Sequence, residues 1–159
     1  MKSDRVWKAS FAGIAGGLAG NGILGLLFSS DPVRSVLYNE NLQSKLFISL
    51  TPERDLPYSV GGLIVLSAAH GLLFEMLHPA LPGRSWFLKG VAWGGIIWLM
   101  YWVFQEWFIY HTLLGEPLLL AAFELLILLT GSLVEGIAIA ALLRERTATV
   151  PTRGKSDAG

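Results

Sequence analysis

The chain contains no cysteine. That excludes a disulfide scaffold, thiolate chemistry and every cysteine-ligated zinc or iron–sulfur site, and it carries no message about compartment. Charge is scarce too, at 15% of the 159 residues, against about 25% in an average soluble domain. Neither sign dominates, because Lys plus Arg (12) balances Asp plus Glu (12). Without a basic excess the chain has little with which to neutralise a phosphate backbone, so nucleic acid is not an expected partner. Motifs of catalysis are also missing: there is no Gly-x-Ser-x-Gly elbow, no Walker loop and no His-Glu-x-x-His. An enzyme is therefore not the expected reading, although membrane enzymes can be assembled from scattered carboxylates and histidines.

Hydrophobic residues make up 53% of the chain and gather in long runs. A hydrocarbon core about 30 Å thick takes roughly 20 mostly apolar helical residues. Four segments qualify, at about 7–28, 58–78, 86–111 and 115–143. They must be helical, because lipid satisfies no open strand edge. The run Gly90–Phe104 has no charge and holds Trp93, Trp98 and Trp102, so it lacks the polar stripe of a water-facing helix. The basic start at Lys2, Arg5 and Lys8 resembles a signal peptide, but the apolar run is too long and three more spans follow. The expected fold is an all-α integral membrane protein: residues 1–143 form a four-transmembrane-helix antiparallel bundle with an amphipathic extracytoplasmic loop at 29–57. Residues 144–159, rich in Thr, Pro, Gly and Ser, read as a disordered cytoplasmic tail.

Basic residues set the expected orientation. Lys2, Arg5, Lys8, Arg84, Lys89, Arg144, Arg146, Arg153 and Lys155 fall on the side of the termini, while Arg34, Lys45 and Arg54 lie in the first loop. The richer side is expected in the cytoplasm, with both termini inside a cell or inner membrane. Trp7, Trp86, Trp107, Tyr58 and Tyr110 stand near span ends, where amphipathic rings prefer the headgroup layer. In the first loop, Asp31-Pro32 and Thr51-Pro52-Glu53 read as helix starts. Between them Val33, Val36, Leu37, Leu42, Leu46, Phe47 and Leu50 recur at helical spacing, interleaved with Arg34, Asn39, Glu40, Gln43 and Lys45. This predicts one or two amphipathic helices on the membrane surface, with Leu42 and Leu46 toward apolar surroundings and Gln43 toward water. Either it covers the bundle and joins two helix ends, or it acts as a lid or docking surface. Pro79, Pro82 and Gly83 break the chain between spans two and three, and His111–Gly115 turns it between three and four. Connections this short predict that spans two and three, and three and four, are antiparallel neighbours, with span one closing the bundle.

Span one carries Gly13, Gly16, Gly17 and Gly20, which share one helical stripe with Leu24. Such a stripe admits another backbone at close range, in the same chain or in another subunit. Gly90-Val91-Ala92-Trp93-Gly94 offers a second small-residue contact. No strand precedes the glycine run, which argues against a dinucleotide loop.

Ionisable groups inside a membrane are costly and often functional. Asn21, Ser67, Glu106 and Glu124, with Gln105 beside them, fall in the expected outer half; His70 and Glu135 fall in the inner half, and Glu75 and His78 nearer the inner surface. Glu124 and Glu135 lie three helical turns apart on one face, about 16 Å along the axis. Leu120, Leu128, Gly131, Ala138 and Leu142 share that face, which must point inward. His70 has the depth to meet Glu135, and Gln105 or Glu106 the depth to meet Glu124. A purely structural reading takes these as interhelical polar contacts worth about 1 kcal/mol each. A functional reading takes them as a proton or small-cation relay. Two other readings stand beside it: a non-catalytic subunit or assembly factor of a larger membrane complex, and a membrane metalloprotein. For the last, Glu75, His78 and His70 form the candidate ligand set, and a transition metal is the one cofactor it would suit. There is one Glu-x-x-His motif where a di-iron bundle wants two, and no two histidines share the depth that a bis-histidine haem needs. The expected partners are the lipid bilayer and either a homo-oligomer or a larger membrane complex.

Overall fold

The structure is a computed structural model that describes residues 3–49 and 55–144, the side chain of Phe47 excepted. The expected tail at 145–159, Leu50 and the Thr51-Pro52-Glu53 signal lie outside these residues. The described residues form helices and turns with no strand. Four of the helical stretches are long and apolar enough to cross a membrane: Ser3–Ser29, Leu56–Leu77, Trp86–Leu113 and Leu118–Leu143. We call these α1 (Ser3–Ser29), α4 (Leu56–Leu77), α5 (Trp86–Ile97, continued to Leu113) and α6 (Leu118–Leu143); two short helices, α2 (Asp31–Leu37) and α3 (Lys45–Ser49), lie in the first loop. The four long helices pack as an antiparallel bundle. Its outward surface is apolar, with Leu18, Leu26, Val65, Met76, Leu119 and Leu126 all exposed. Such a surface suits lipid and not water.

The order of neighbours differs from the expected one. α1 lies in the middle, packed along α4 on one side and α6 on the other, and α5 packs along α6. Spans two and three are consecutive, yet α4 meets α5 chiefly through side chains near the end where the termini lie. There the Phe74 ring lies edge-on to Trp93 at 6.1 Å, and Lys89 Nζ donates to the His78 carbonyl at 2.8 Å. Leu81, in the turn, fills the same cluster with Ile97, Ile139 and Ala140. The turn brings the helix ends together without laying the helices side by side.

Glycine explains why α1 wins the central place. A Cβ on Gly13 would overlap the Ser67 carbonyl of α4, and a Cβ on Gly71 would overlap the Ala9 carbonyl of α1. On the neighbouring line of α1, a Cβ on Gly16 would reach the Glu135 carbonyl at 3.0 Å, and one on Gly20 the Gly131 carbonyl at 2.7 Å. The glycines therefore serve two different helices of the same chain. Gly94 is the α5 counterpart: its Cβ would meet the Ser132 carbonyl of α6 at 2.5 Å, and Gly136 answers it from α6. Without a hydrophobic force between helices in lipid, backbone approach of this kind is what holds them together.

Helix starts also differ in detail from the sequence reading. Ser30, not Asp31, is the N-cap of α2; no side chain caps it, and the Ser30 hydroxyl donates to the Leu27 carbonyl instead. α4 starts at Asp55, whose carboxylate accepts from the Tyr58 N–H at 3.3 Å. Gly83, at φ +106°, makes the turn after α4, in the left-handed region that favours glycine.

The third span has the least expected geometry. From Trp98 to Trp102 and from Phe104 to Leu113 it is wound as a π-helix. Side chains follow the wide spacing: the Thr112 hydroxyl donates to the Trp107 carbonyl at 2.7 Å, and Gln105 donates to the Tyr110 hydroxyl at 3.1 Å. π-turns are rare and gather at functional sites.

Candidate functional site

α1, α6 and the π-wound part of α5 enclose a cavity of about 680 Å³ toward the loop end. Its walls carry Asn21 from α1, Gln105, Glu106 and Tyr110 from the π-wound segment, and Glu124 from α6. Leu37, Tyr38 and Gln43 reach it from the first loop. Leu24 and Leu128 lie on the wall as well and pack with Leu37 and Leu120 in one apolar cluster.

Glu106 and Glu124 both line this space and are close enough to act directly on each other. Glu106 is buried, at 1% exposure, and its Oε2 has no hydrogen-bond partner among the described residues. A hydrogen bond between two carboxyl groups needs a proton between them. Glu116 lies in the turn between the third span and α6, close enough to act electrostatically on both. Burial pushes its carboxyl above the ordinary range, and the backbone of Ser44 partly offsets this by hydrogen-bonding to it. The Ser44 hydroxyl donates to the Leu114 carbonyl at 2.8 Å, which ties the first loop to the same turn. Among the described residues no Lys or Arg lines the cavity. Arg34 stands at an adjoining depression with Phe28 and Tyr38, its guanidinium 6.0 Å from the Tyr38 ring centre.

A second polar pair lies deeper. His70 Nδ1 and Glu135 Oε1 are 2.7 Å apart, with the tautomer set by whether the carboxyl or the imidazole carries the shared proton. Glu135 is wedged against Gly17 and Gly20, and it is not on the cavity wall. Ser67 packs on Gly17 beside this pair, so it belongs to the His70–Glu135 layer and not to the layer of Asn21 and Glu124 where its sequence position suggested. Leu128 lies between Glu124 and Glu135 along α6, and Leu24 packs on Gly131.

Other expected residues are placed differently. Glu75 meets Arg5, with a separation of 3.7 Å, and His78 Nδ1 lies 3.0 Å from the Glu75 carbonyl. With His70 taken by Glu135, the set Glu75, His78 and His70 does not converge, and no group of three His, Asp or Glu side chains among the described residues could hold a metal ion. Gln43 turns from water to the cavity: its amide donates to the Leu37 carbonyl. Tyr110 points into the bundle where a headgroup position was expected. The stripe through Glu124 and Glu135 leaves the core at its far end, where Leu142 is exposed and Ser132, Gly136, Ile139 and Ala140 are buried instead, because α5 packs on that side. Asn21 spends its amide on the Gly17 carbonyl at 2.8 Å.

Glu116 and Trp102 were not legible as site residues. Glu116 sits between Gly115 and Pro117 and reads as a membrane-edge residue; only the return of the first loop through Ser44 buries it. Trp102 belongs to an all-apolar run, and the π-winding decides which of its neighbours faces inward.

The fold and site define a small multi-pass membrane bundle with a carboxyl-lined cavity at its loop end. Comparison with protein-family models, with curated proteins and with solved structures finds no match for the chain.

Proposed function

We propose that this membrane protein is a small transport protein that exchanges protons for a cation at the Glu106–Glu124 pair. The observation that carries the reading is a carboxyl pair on the wall of a cavity that no Lys or Arg among the described residues lines. Two carboxyl groups in such a place are neutralised by a proton or by a visiting cation, and competition between the two is what proton-coupled exchange requires. The cavity opens outward if the termini are cytoplasmic, as the basic residues indicate. His70 and Glu135 would then be the second station. Passage between the stations by a rearrangement of the bundle would make this alternating access and not an open channel.

The test is proton flux in liposomes that contain a trapped pH dye, driven by outward gradients of sodium, potassium or an alkylammonium ion. Glu106→Gln and Glu124→Gln should each reduce cation-driven flux at least tenfold while keeping wild-type helicity and elution volume. Glu40→Gln, on the exposed surface of the first loop, should leave flux unchanged. Folded variants with wild-type flux would remove the carboxyl pair from the mechanism.

A further inference from the structure

The size and lining of the cavity say more about the cation than the carboxyl pair does alone. About 680 Å³ is room for roughly twenty waters at about 30 Å³ each. It falls within the range of about 300–1,000 Å³ typical of sites for small organic molecules. A transition-metal ion takes several converging His or carboxylate ligands, and no group of three His, Asp or Glu among the described residues provides them. The walls around the carboxyl pair are apolar and aromatic. Trp102 is four residues from Glu106 toward the bundle centre, and Leu128 is four from Glu124 in the same direction. Phe28, Leu37 and Tyr38 bound the loop side. Aromatic faces with a carboxyl focus are the setting in which an organic cation is held by its charge and by its body together.

The head of that cation can be specified. Glu106 and Glu124 both line the cavity, and an ionised carboxylate only accepts hydrogen bonds. Gln105 gives its amide NH₂ to Tyr110, which leaves its carbonyl as a further acceptor. The acceptors on this wall call for a head with several N–H donors. A primary ammonium has three, while a quaternary ammonium has none.

We propose that the cavity binds a primary organic amine as its ammonium ion, with the head on Glu106 and Glu124 and an apolar body against Trp102, Phe28 and Tyr38. This rests on the exchange reading and names its substrate class. The step balances: the ammonium ion enters, the carboxyl pair gives up one proton to solution, and the site keeps its net charge. The groups that face the pair are Glu116 from the turn, Tyr110 and Gln105 from the π-wound segment, and Asn21 from α1, with Arg34 of α2 near the mouth.

Calorimetric titration of the full chain in detergent micelles tests this with 2-phenylethylamine, its N,N,N-trimethyl derivative, 2-phenylethanol and sodium chloride. The amine should bind saturably at one per chain, and heats in buffers of different ionisation enthalpy should show about one proton released. The trimethyl compound should bind at least tenfold more weakly and the alcohol not measurably. Glu106→Gln should weaken amine binding at least tenfold, and Trp102→Leu, which keeps the carboxyl pair, several-fold. Equal binding of amine and alcohol, or amine binding unchanged in Glu106→Gln, would overturn the proposal. So would no amine binding by a protein that shows carboxyl-dependent flux with sodium or potassium, and in that case the exchange reading would stand. Saturable, proton-releasing amine binding without flux under any gradient would support the site and remove the transport reading.

Discussion

The two ends of the bundle are built on opposite terms. Toward the termini, α1, α4, α5 and α6 touch backbone to backbone through glycines, and the apolar cluster of Phe74, Trp93 and Ile139 fills what remains. Toward the loops the contacts are made by side chains, the third span changes to π-winding, and a cavity with three nearby glutamates opens. Close packing leaves no room for water or ligand. Looser packing costs contacts but gives a place where charge can be received. The lesson is one of division: the tight end supplies the stability that lets the loose end hold carboxyl groups in a membrane.

The sharpest way to break that contrast is to add one methyl group at each end. Gly71→Ala would put a Cβ into the Ala9 carbonyl of α1, and neither backbone can yield cheaply. We expect a loss of about 3 kcal/mol in unfolding free energy from overpacking, measured by denaturant titration in micelles. Gly22→Ala and Gly95→Ala meet nothing within 4 Å. They should be neutral, or stabilising by about 0.5–1 kcal/mol, since alanine loses less freedom than glycine in a helix. A similar cost at all three positions would mean that backbone contact is not what holds the tight end together.

How much of this could be read from the sequence depends on what decides each feature. The four spans were legible because membrane thickness acts on every residue of a run, and the observed helices start and end within a few residues of the expected bounds. That the glycines of α1 mark a close approach was legible from their spacing alone. That they serve α4 and α6 at once was not, since the partner glycines Gly71 and Gly131 look ordinary in isolation. Depth along a helix brought His70 to Glu135 and Glu106 to Glu124. It failed for Ser67, whose side chain follows the α1–α4 contact, and for Gln43 and Glu116, which depend on how the first loop folds back. The π-winding from Trp98 has no mark in composition, because it answers to the packing of the whole span and not to any one residue.

Between the two ends, the His70–Glu135 pair tests whether the middle layer belongs to the tight end or to the cavity. In a double-mutant cycle with His70→Leu and Glu135→Leu, the coupling energy should be about 1 kcal/mol, the scale of interhelical hydrogen bonds in membranes. Each single variant should cost more than the double would suggest, because it leaves one buried polar group unpaired. Coupling near zero would mean that water reaches the pair and satisfies either partner alone, which would join this layer to the cavity.

The smallest effect is expected at Glu116, and its sign is fixed by linkage. Glu116 lies outside the spans, and burial raises its carboxyl above the ordinary 4.5, against a partial offset from the Ser44 backbone. As pH rises past about 4.5 the unfolded chain gives up this proton while the folded chain still holds it, so the folded state loses stability until its own group ionises. Glutamine in its place has no proton to lose. The unfolding free energy of wild type minus that of Glu116→Gln should therefore fall as pH rises above 4.5 and level off once the folded group has titrated. Glu106 and Glu124 lie within electrostatic range and would blur the curve, so the comparison is best made in a background where both are already glutamine. A difference that stays flat with pH in that background would mean that the turn is open to water, and that the first loop does not close over the cavity end as Ser44 and Leu114 place it.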